Sequence, residues 1–261
     1  MAGYHRRPTR DIPAKGISAK RKYRYNGATM IPIGDSGLAA RLRREIEGEV
    51  LFDAFARGRY STDASIYQIE PIGVVVPRTA QEVATAMQIA REVGAPVLPR
   101  GAGTSQCGQT VGRALVIDVS KHLNKVIELD TAGRRVTVEP GIVLDHLNAY
   151  LRPHGLFFPV DVSPANRATI GGMTGNNSCG SRSIRYGNMV HNVLAIDAIL
   201  ADGEQLRFGP PGENWGGDNR AGGTRLEELT RKLMALGRAE KDEIERRFPK
   251  LLRRVGGYNI D

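Results

Sequence analysis

The sequence predicts an α+β domain built as two subdomains, and three features carry that prediction. In the first half, short apolar runs bounded by prolines and glycines, such as Gly73-Val74-Val75-Val76-Pro77, surround one strongly amphipathic helix. In the second half, alternating apolar and polar runs are joined by tight turns, the pattern of antiparallel hairpins. Each half also carries one glycine-rich segment: Pro99 to Gln109, and Pro164 to Gly180.

Taken in order, Ser36 to Val50 places Leu38, Ala39, Leu42 and Ile46 on one helical face and predicts a peripheral helix. Tyr60 to Tyr67 is polar and aromatic and reads as a loop. Val74-Val75-Val76 is a buried strand. Thr79-Ala80-Gln81-Glu82 is a capping box that opens a helix buried along Val83, Met87, Ala90 and Val93 and stopped by Gly94. Val97-Leu98 and Leu115 to Val119 are strands on either side of the first glycine segment, which completes a β-α-β-β unit.

The second unit begins with a hairpin, Val126 to Leu129 and Arg135 to Glu139, around Asp130-Thr131-Ala132-Gly133. Leu144, Leu147 and Leu151 then mark a helix closed by His154-Gly155. Val193 to Leu200 and Glu204 to Phe208 form a second hairpin, turned by Asp202-Gly203. A glycine- and proline-rich connector around Trp215 leads to a charged amphipathic helix predicted over Leu226 to Phe248, with Leu229, Leu233, Leu236 and Ile244 as its apolar positions. The boundaries that follow are a basic tail at 1–30, a peripheral helical segment at 31–59, subdomains at 60–123 and 124–209, and a linker with a helix at 210–261.

At 261 residues, with 41% hydrophobic and 25% charged side chains, the chain has the composition of a globular protein. No apolar run reaches the roughly 18 residues of a membrane span. The net charge of +9 is concentrated in the first 30 residues, where eight arginines and lysines face only Asp11. The folded part is nearly neutral, which argues against a nucleic-acid partner. Cys107 and Cys179 are the only cysteines and have no ligand spacing, so neither a metal site nor a disulfide framework is expected, and a reducing cytoplasm fits.

The two glycine segments have the composition a pyrophosphate requires. Glycines let backbone amides converge on an anion, and Thr104, Ser105, Thr169 and Ser178 add hydroxyls. A dinucleotide fingerprint is excluded, because Gln106 stands at the third glycine's place and a strand follows. A P-loop is excluded as well, because Gln109 occupies the lysine position. A helix starting near Thr169 is expected to offer the amides of Ile170, Gly171 and Gly172 to the same anion. Asn176, Asn177 and Ser178 carry groups able to read a polar ligand edge, and Asp161 reads either as a ligand neighbour or as a loop cap.

These residues resemble the FAD-binding domain of the p-cresol methylhydroxylase/vanillyl-alcohol oxidase superfamily. The resemblance runs from about Tyr60 to Gly209. It rests on Pro99-Arg100-Gly101-Ala102-Gly103-Thr104-Ser105, Val138-Glu139-Pro140-Gly141, Ala168-Thr169-Ile170-Gly171-Gly172, Asn176-Asn177-Ser178-Cys179-Gly180, Tyr186-Gly187 and Ala201-Asp202-Gly203. Within the superfamily the chain is most similar to glycolate oxidase/D-lactate dehydrogenase-type FAD-linked dehydrogenases that carry an iron-sulfur domain downstream.

The resemblance implies FAD held between the two subdomains. Its expected contacts are Arg100, Gly101, Ala102, Gly103, Thr104, Ser105, Gln106, Gln109, Pro140, Gly141, Asp161, Ser163, Thr169, Ile170, Gly171, Gly172, Asn176, Ser178, Gly180, Tyr186 and Val193. Val193 would meet the adenine through its backbone, and Gly103 would leave room for a phosphate. Several relatives bind FAD covalently through a histidine where Thr104 stands, so non-covalent FAD is expected here. His5, His122, His146, His154 and His191 show no triad or ligand spacing, although His191 lies near the second segment.

The implied activity is oxidation of a D-2-hydroxy acid such as D-lactate, with electrons passed to an iron-sulfur or cytochrome-type acceptor. Arg182 and Arg185 are candidates to face the anionic substrate, and the catalytic base is expected from a substrate domain outside these residues. The chain thus reads as the flavin-holding part of a longer enzyme, cytoplasmic or peripheral at the inner membrane. Two alternatives stay open: a UDP-N-acetylenolpyruvoylglucosamine-reductase-like flavoprotein, and a nucleic-acid-binding protein that uses the basic tail.

Overall fold

The computed structural model describes residues 31–209, 223–251 and 260. It begins with α1 (Ser36–Glu45), β1 (Glu49–Leu51) and α2 (Ala54–Arg59). The Asp35 carboxylate accepts the Leu38 N–H at 2.7 Å and caps α1. The helix stops at Ile46, which is extended, five residues short of the expected end. The reason lies at Gly48, where a side chain would strike the Val76 carbonyl; that close approach lets β1 pair antiparallel with β2 (Gly73–Val76).

The first sheet is completed by α3 (Ala80–Val93), β3 (Val97–Arg100) and β4 (Leu115–Asp118), in the order β1-β2-β4-β3. β2, β4 and β3 are parallel. β2 and β4 are buried along their whole length, as central strands of a parallel sheet must be. Thr79 Oγ1 accepts the Glu82 N–H at 3.2 Å, and Gly94, at φ +75°, ends α3. Glu82 reaches further than a simple capping box: its Oε2 accepts from Arg78 N–H (2.8 Å) and Gly48 N–H (3.2 Å), tying α3 to the chain before β1.

One core joins Leu38, Leu42 and Phe52 to Ile72, Ile89 and Leu115. The 31–59 segment, expected to be peripheral, therefore supplies part of the first core. Its packing against β2 and α3 is tertiary and leaves no mark in local periodicity.

The second unit contains the hairpin β5 (Val126–Asp130) and β6 (Arg135–Val138), α4 (Leu144–Leu151), α5 (Ile170–Gly175), α6 (Ser183–Tyr186) and the hairpin β7 (Ile196–Ile199) and β8 (Gln205–Phe208). A separate core forms from Leu144, Leu147, Leu151, Val160, Ile170, Met173 and Met189. β7 starts three residues later than its apolar run suggests. A 3₁₀ turn at Met189–His191 precedes it, and the Met189 carbonyl holds the Val193 N–H at 2.9 Å, outside the ladder.

The predicted last helix is two, α7 (Gly223–Ala239) and α8 (Lys241–Arg247). Glu240 leaves helical angles (φ −96°, ψ 7°) and separates them, a break that the continuous amphipathic pattern hides. Arg225 on α7 faces Asp202 at 4.0 Å and Glu204 at 3.7 Å in the β7–β8 hairpin. Residues 1–30, the connector with Trp215 and residues 252–259 lie outside the described residues. Among the described residues no helix is long and apolar enough to cross a membrane.

Leu147 is 1% exposed at the centre of the second core. Leu147→Ala is expected to cost about 2–5 kcal/mol by urea unfolding, whereas Thr137→Ala on exposed β6 should stay within about 0.5 kcal/mol. Equal effects would mean that the second core does not form as described.

Candidate cofactor-binding site

The first glycine loop leaves the sheet at the carboxyl end of β3, the edge at which open α/β sheets hold ligands. Among the described residues, no acceptor meets the N–H groups of Gly101, Ala102, Gly103, Thr104 or Ser105. Four of the five residues are only partly exposed. Consecutive partly exposed amides without partners among the described residues leave a row of donors open, and a multiply charged anion is a group able to use them.

Gly103 has φ +68°, and a side chain there would run into the Arg100 guanidinium rather than into ligand space. The glycine is thus required by the loop's own packing. Arg100 itself, expected at the ligand, turns inward. Its guanidinium donates to the carbonyls of Tyr60 (3.2 Å), Thr110 (2.9 Å) and Thr62 (2.8 Å), and lies 5.3 Å from the centre of the Tyr60 ring. The Tyr60 hydroxyl in turn donates to Asp118 Oδ2 at 2.7 Å. Burial first, then this bond to Asp118, pushes the hydroxyl's pKa up, so it remains a donor.

The second segment meets the first directly: a side chain at Gly101 would strike Thr169 Oγ1. Thr169 is buried and caps α5, accepting the Gly172 N–H at 3.3 Å. Here the structure corrects the expectation of a second amide cradle. Ile170 N–H donates to the Ile142 carbonyl at 2.9 Å and Gly171 N–H to the Pro140 carbonyl at 2.8 Å. All three amides expected at the anion are committed within the protein. Pro140 and Gly141, also expected at the cofactor, form the seat of α5: Gly171 packs on Pro140, and Gly141 donates to the Leu123 carbonyl at 2.7 Å.

Side chains complete the junction. Ser105 Oγ–H donates to Gln109 Oε1, Gln109 Nε2 to Asn176 Oδ1 at 3.2 Å, and Asn176 Nδ2 to Ser178 Oγ at 3.0 Å. This relay bridges the two segments, and composition alone did not reveal the pairing of Gln109 with Asn176. Gln106 and Ser163 are exposed.

Asp161 acts as a loop cap, accepting from Ser181 Oγ (2.6 Å) and Arg182 N–H (2.8 Å), and Gly180 packs against its backbone. Tyr186 stacks edge-on against Phe157 at 5.9 Å. Val193 packs against the second core. His191 Nδ1 accepts the Asn188 N–H at 3.0 Å and so caps a turn. Arg185 lies over Tyr186, whereas Arg182 lies 6.0 Å from the Phe157 ring centre.

A cleft of about 520 Å³ opens on the flank of the second segment, with Asn148, Arg152, Phe157, Asp161 and Arg182 among its walls. It contains no residue of the first loop and is therefore separate from the open amides. Among the described residues no group of three or more His, Cys, Asp or Glu could hold a metal ion, and Cys107 and Cys179 are free thiols.

Residues 71–209 match the FAD binding domain family, more than half of the chain, and the protein belongs to that family. The chain is 36% identical over 203 residues to D-2-hydroxyglutarate dehydrogenase of Pantoea ananatis, covering 77% of this chain and 20% of that protein. It is 37% identical over 171 residues to glycolate oxidase subunit GlcD of Bacillus subtilis, covering 63% and 36%. An alkyldihydroxyacetonephosphate synthase structure superposes with a TM-score of 0.60 at 20% identity, over 69% of this chain and 35% of that one, which supports the two-subdomain fold. The chain spans about one fifth of the D-2-hydroxyglutarate dehydrogenase and just over one third of the glycolate oxidase subunit.

The open amides of the first loop suit the diphosphate of FAD: they are donors without protein partners beside a second polar segment. Gly101→Ala is expected to weaken both the fold and any ligand bound at the loop, and a second change, Thr169→Ala, should recover part of the lost stability by removing the clashing hydroxyl. Thermal unfolding of the two single variants and the double variant measures this, and strict additivity would separate the two segments.

Acid provides a second check. Partial burial opposes ionisation of Asp161, but bonds from Ser181 and Arg182 outweigh it and hold its carboxyl below the usual range. The stability that Asp161 contributes is therefore present above its unfolded pKa of about 3.9 and is lost as pH falls through the lower folded value. Asp161→Asn should flatten the acid limb of the stability curve without moving the neutral plateau's shape.

Proposed function

We propose that this chain is the FAD-holding part of a dehydrogenase that oxidises a small 2-hydroxy acid of the D-lactate or D-2-hydroxyglutarate class. The observation that carries the reading is the run of five amides, Gly101 to Ser105, that have no partner among the described residues, with Gly101 packed against Thr169 of the second segment. FAD, when bound, supplies a two-electron acceptor, so that the acid loses its C2 hydride and its hydroxyl proton and leaves as a 2-oxo acid. The chain's own part is to bind and orient. The amides of Gly101 to Ser105 hold the diphosphate, the Gln109–Asn176 bridge fixes the spacing of the two segments, and α5 with Thr169 closes one side against water.

Attachment is non-covalent. The first loop has no histidine, and threonine at position 104 forms no aminoalkyl bond to a flavin methyl. Arg152 and Arg182, which line the cleft flanking the second segment, suit the carboxylate of the acid. An acceptor of the iron-sulfur or cytochrome type would take the electrons onward from the bound cofactor. The names of the relatives support the substrate class, because two of them are dehydrogenases or oxidases of 2-hydroxy acids.

Titrating the protein with FAD should give a bound-flavin visible band that acid precipitation releases entirely into the supernatant. Flavin retained in the pellet would refute non-covalent attachment. The absence of any bound band, with ADP also failing to bind, would refute the cofactor assignment.

A further inference from the structure

Segment 60–64 has no assigned role, yet it grips the first glycine loop at three points. At the loop's start, Arg100 donates to the carbonyls of Tyr60 and Thr62. At its middle, the Ala64 N–H donates to the Gly103 carbonyl at 3.1 Å. At its end, both sides of Thr110 are held. Its carbonyl accepts from Arg100 at 2.9 Å, while its N–H (3.4 Å) and hydroxyl (3.0 Å) donate to Asp63 Oδ2. Asp63 Oδ1 is in turn held by the Ser65 N–H at 2.8 Å.

These bonds engage the carbonyls of Tyr60, Thr62, Gly103 and Thr110 and the carboxylate of Asp63, the acceptors that segment 60–64 and the loop's end bring beside the amides of Gly101 to Ser105. A loop left free would satisfy those amides internally or with water, and ordering it would cost entropy at the moment of binding.

We infer that segment 60–64, with Asp63 at its centre and Arg100 beneath it, is a clamp that holds the first glycine loop open for the diphosphate. Asp63 is then a positioning residue: it acts through Thr110 and, by its bond from Ser65, on the turn that carries Ala64, and does not touch the cofactor. The inference rests on the cofactor reading above and deepens it.

The sign of one substitution separates positioning from simple electrostatics. Removing a negative charge beside a diphosphate site would tighten anion binding if charge alone mattered. The clamp requires the opposite, because an asparagine keeps only one of the two acceptor positions that Ser65 and Thr110 occupy. FAD affinity of wild type, Asp63→Asn, Thr110→Val, Thr110→Ser and the Asp63→Asn/Thr110→Val pair should be measured by flavin fluorescence, alongside amide exchange at Ala64 without cofactor.

The expected result is a Kd raised about tenfold by Asp63→Asn and by Thr110→Val, the scale of one lost charge-assisted bond. Thr110→Ser, which keeps the hydroxyl, should bind as wild type does, and the double variant should be little worse than either single. Exchange at Ala64 should quicken in both weakened variants, because its acceptor at Gly103 is no longer fixed. Equal or tighter binding by Asp63→Asn, or unchanged Ala64 exchange in Thr110→Val, overturns the clamp. If wild type binds no FAD, the cofactor reading fails by itself, and the Ala64 exchange still decides whether the loop is held.

Discussion

The structure depends on keeping five consecutive backbone amides, Gly101 to Ser105, away from every acceptor among the described residues. Buried or half-buried N–H groups are almost always paired, so a run of open ones must be held open by force from elsewhere. Here the force comes from below and from one side. Arg100 anchors the loop's entrance to carbonyls of segment 60–62, and Thr169 fills the space that a side chain at Gly101 would need. Arg100 lies next to the open amides in sequence, yet its charge serves the backbone of segment 60–62 and Thr110.

That arrangement makes the two glycine segments unequal partners. Each has the composition of a phosphate loop, but in the second the three amides at the start of α5 already have partners within the protein. In the second, the N-terminal turn of α5 is tied to Pro140 and Ile142, and its glycines serve packing: Gly171 lies on Pro140 and Gly180 on Asp161. Small residues are required in both places for the same steric reason, although one set approaches a ligand and the other approaches protein.

Two separate cores make this geometry rigid. The parallel strands β2, β4 and β3 aim the first loop outward from their carboxyl ends, while the core around Leu147 and Met173 fixes α5. The Gln109–Asn176 bond and the contact of Gly101 with Thr169 join them at the site itself. A contact made where two cores meet sets the spacing of the two glycine segments, so packing in either core bears on that junction.

Local sequence determined the elements whose signals are short-range. Thr79 and Gly94 bounded α3 and Asp202-Gly203 turned the last hairpin, because caps, turns and periodicity depend on neighbours a few residues apart. Tertiary structure alone decided the pairing of β1 with β2, the break at Glu240, the inward turn of Arg100, the commitment of the α5 amides and the grip of Asp63 on Thr110. A sequence states which groups can donate or accept. Which partner takes each bond depends on segments far apart in the chain, such as 63 with 110 or 140 with 171, and only the folded backbone brings those together.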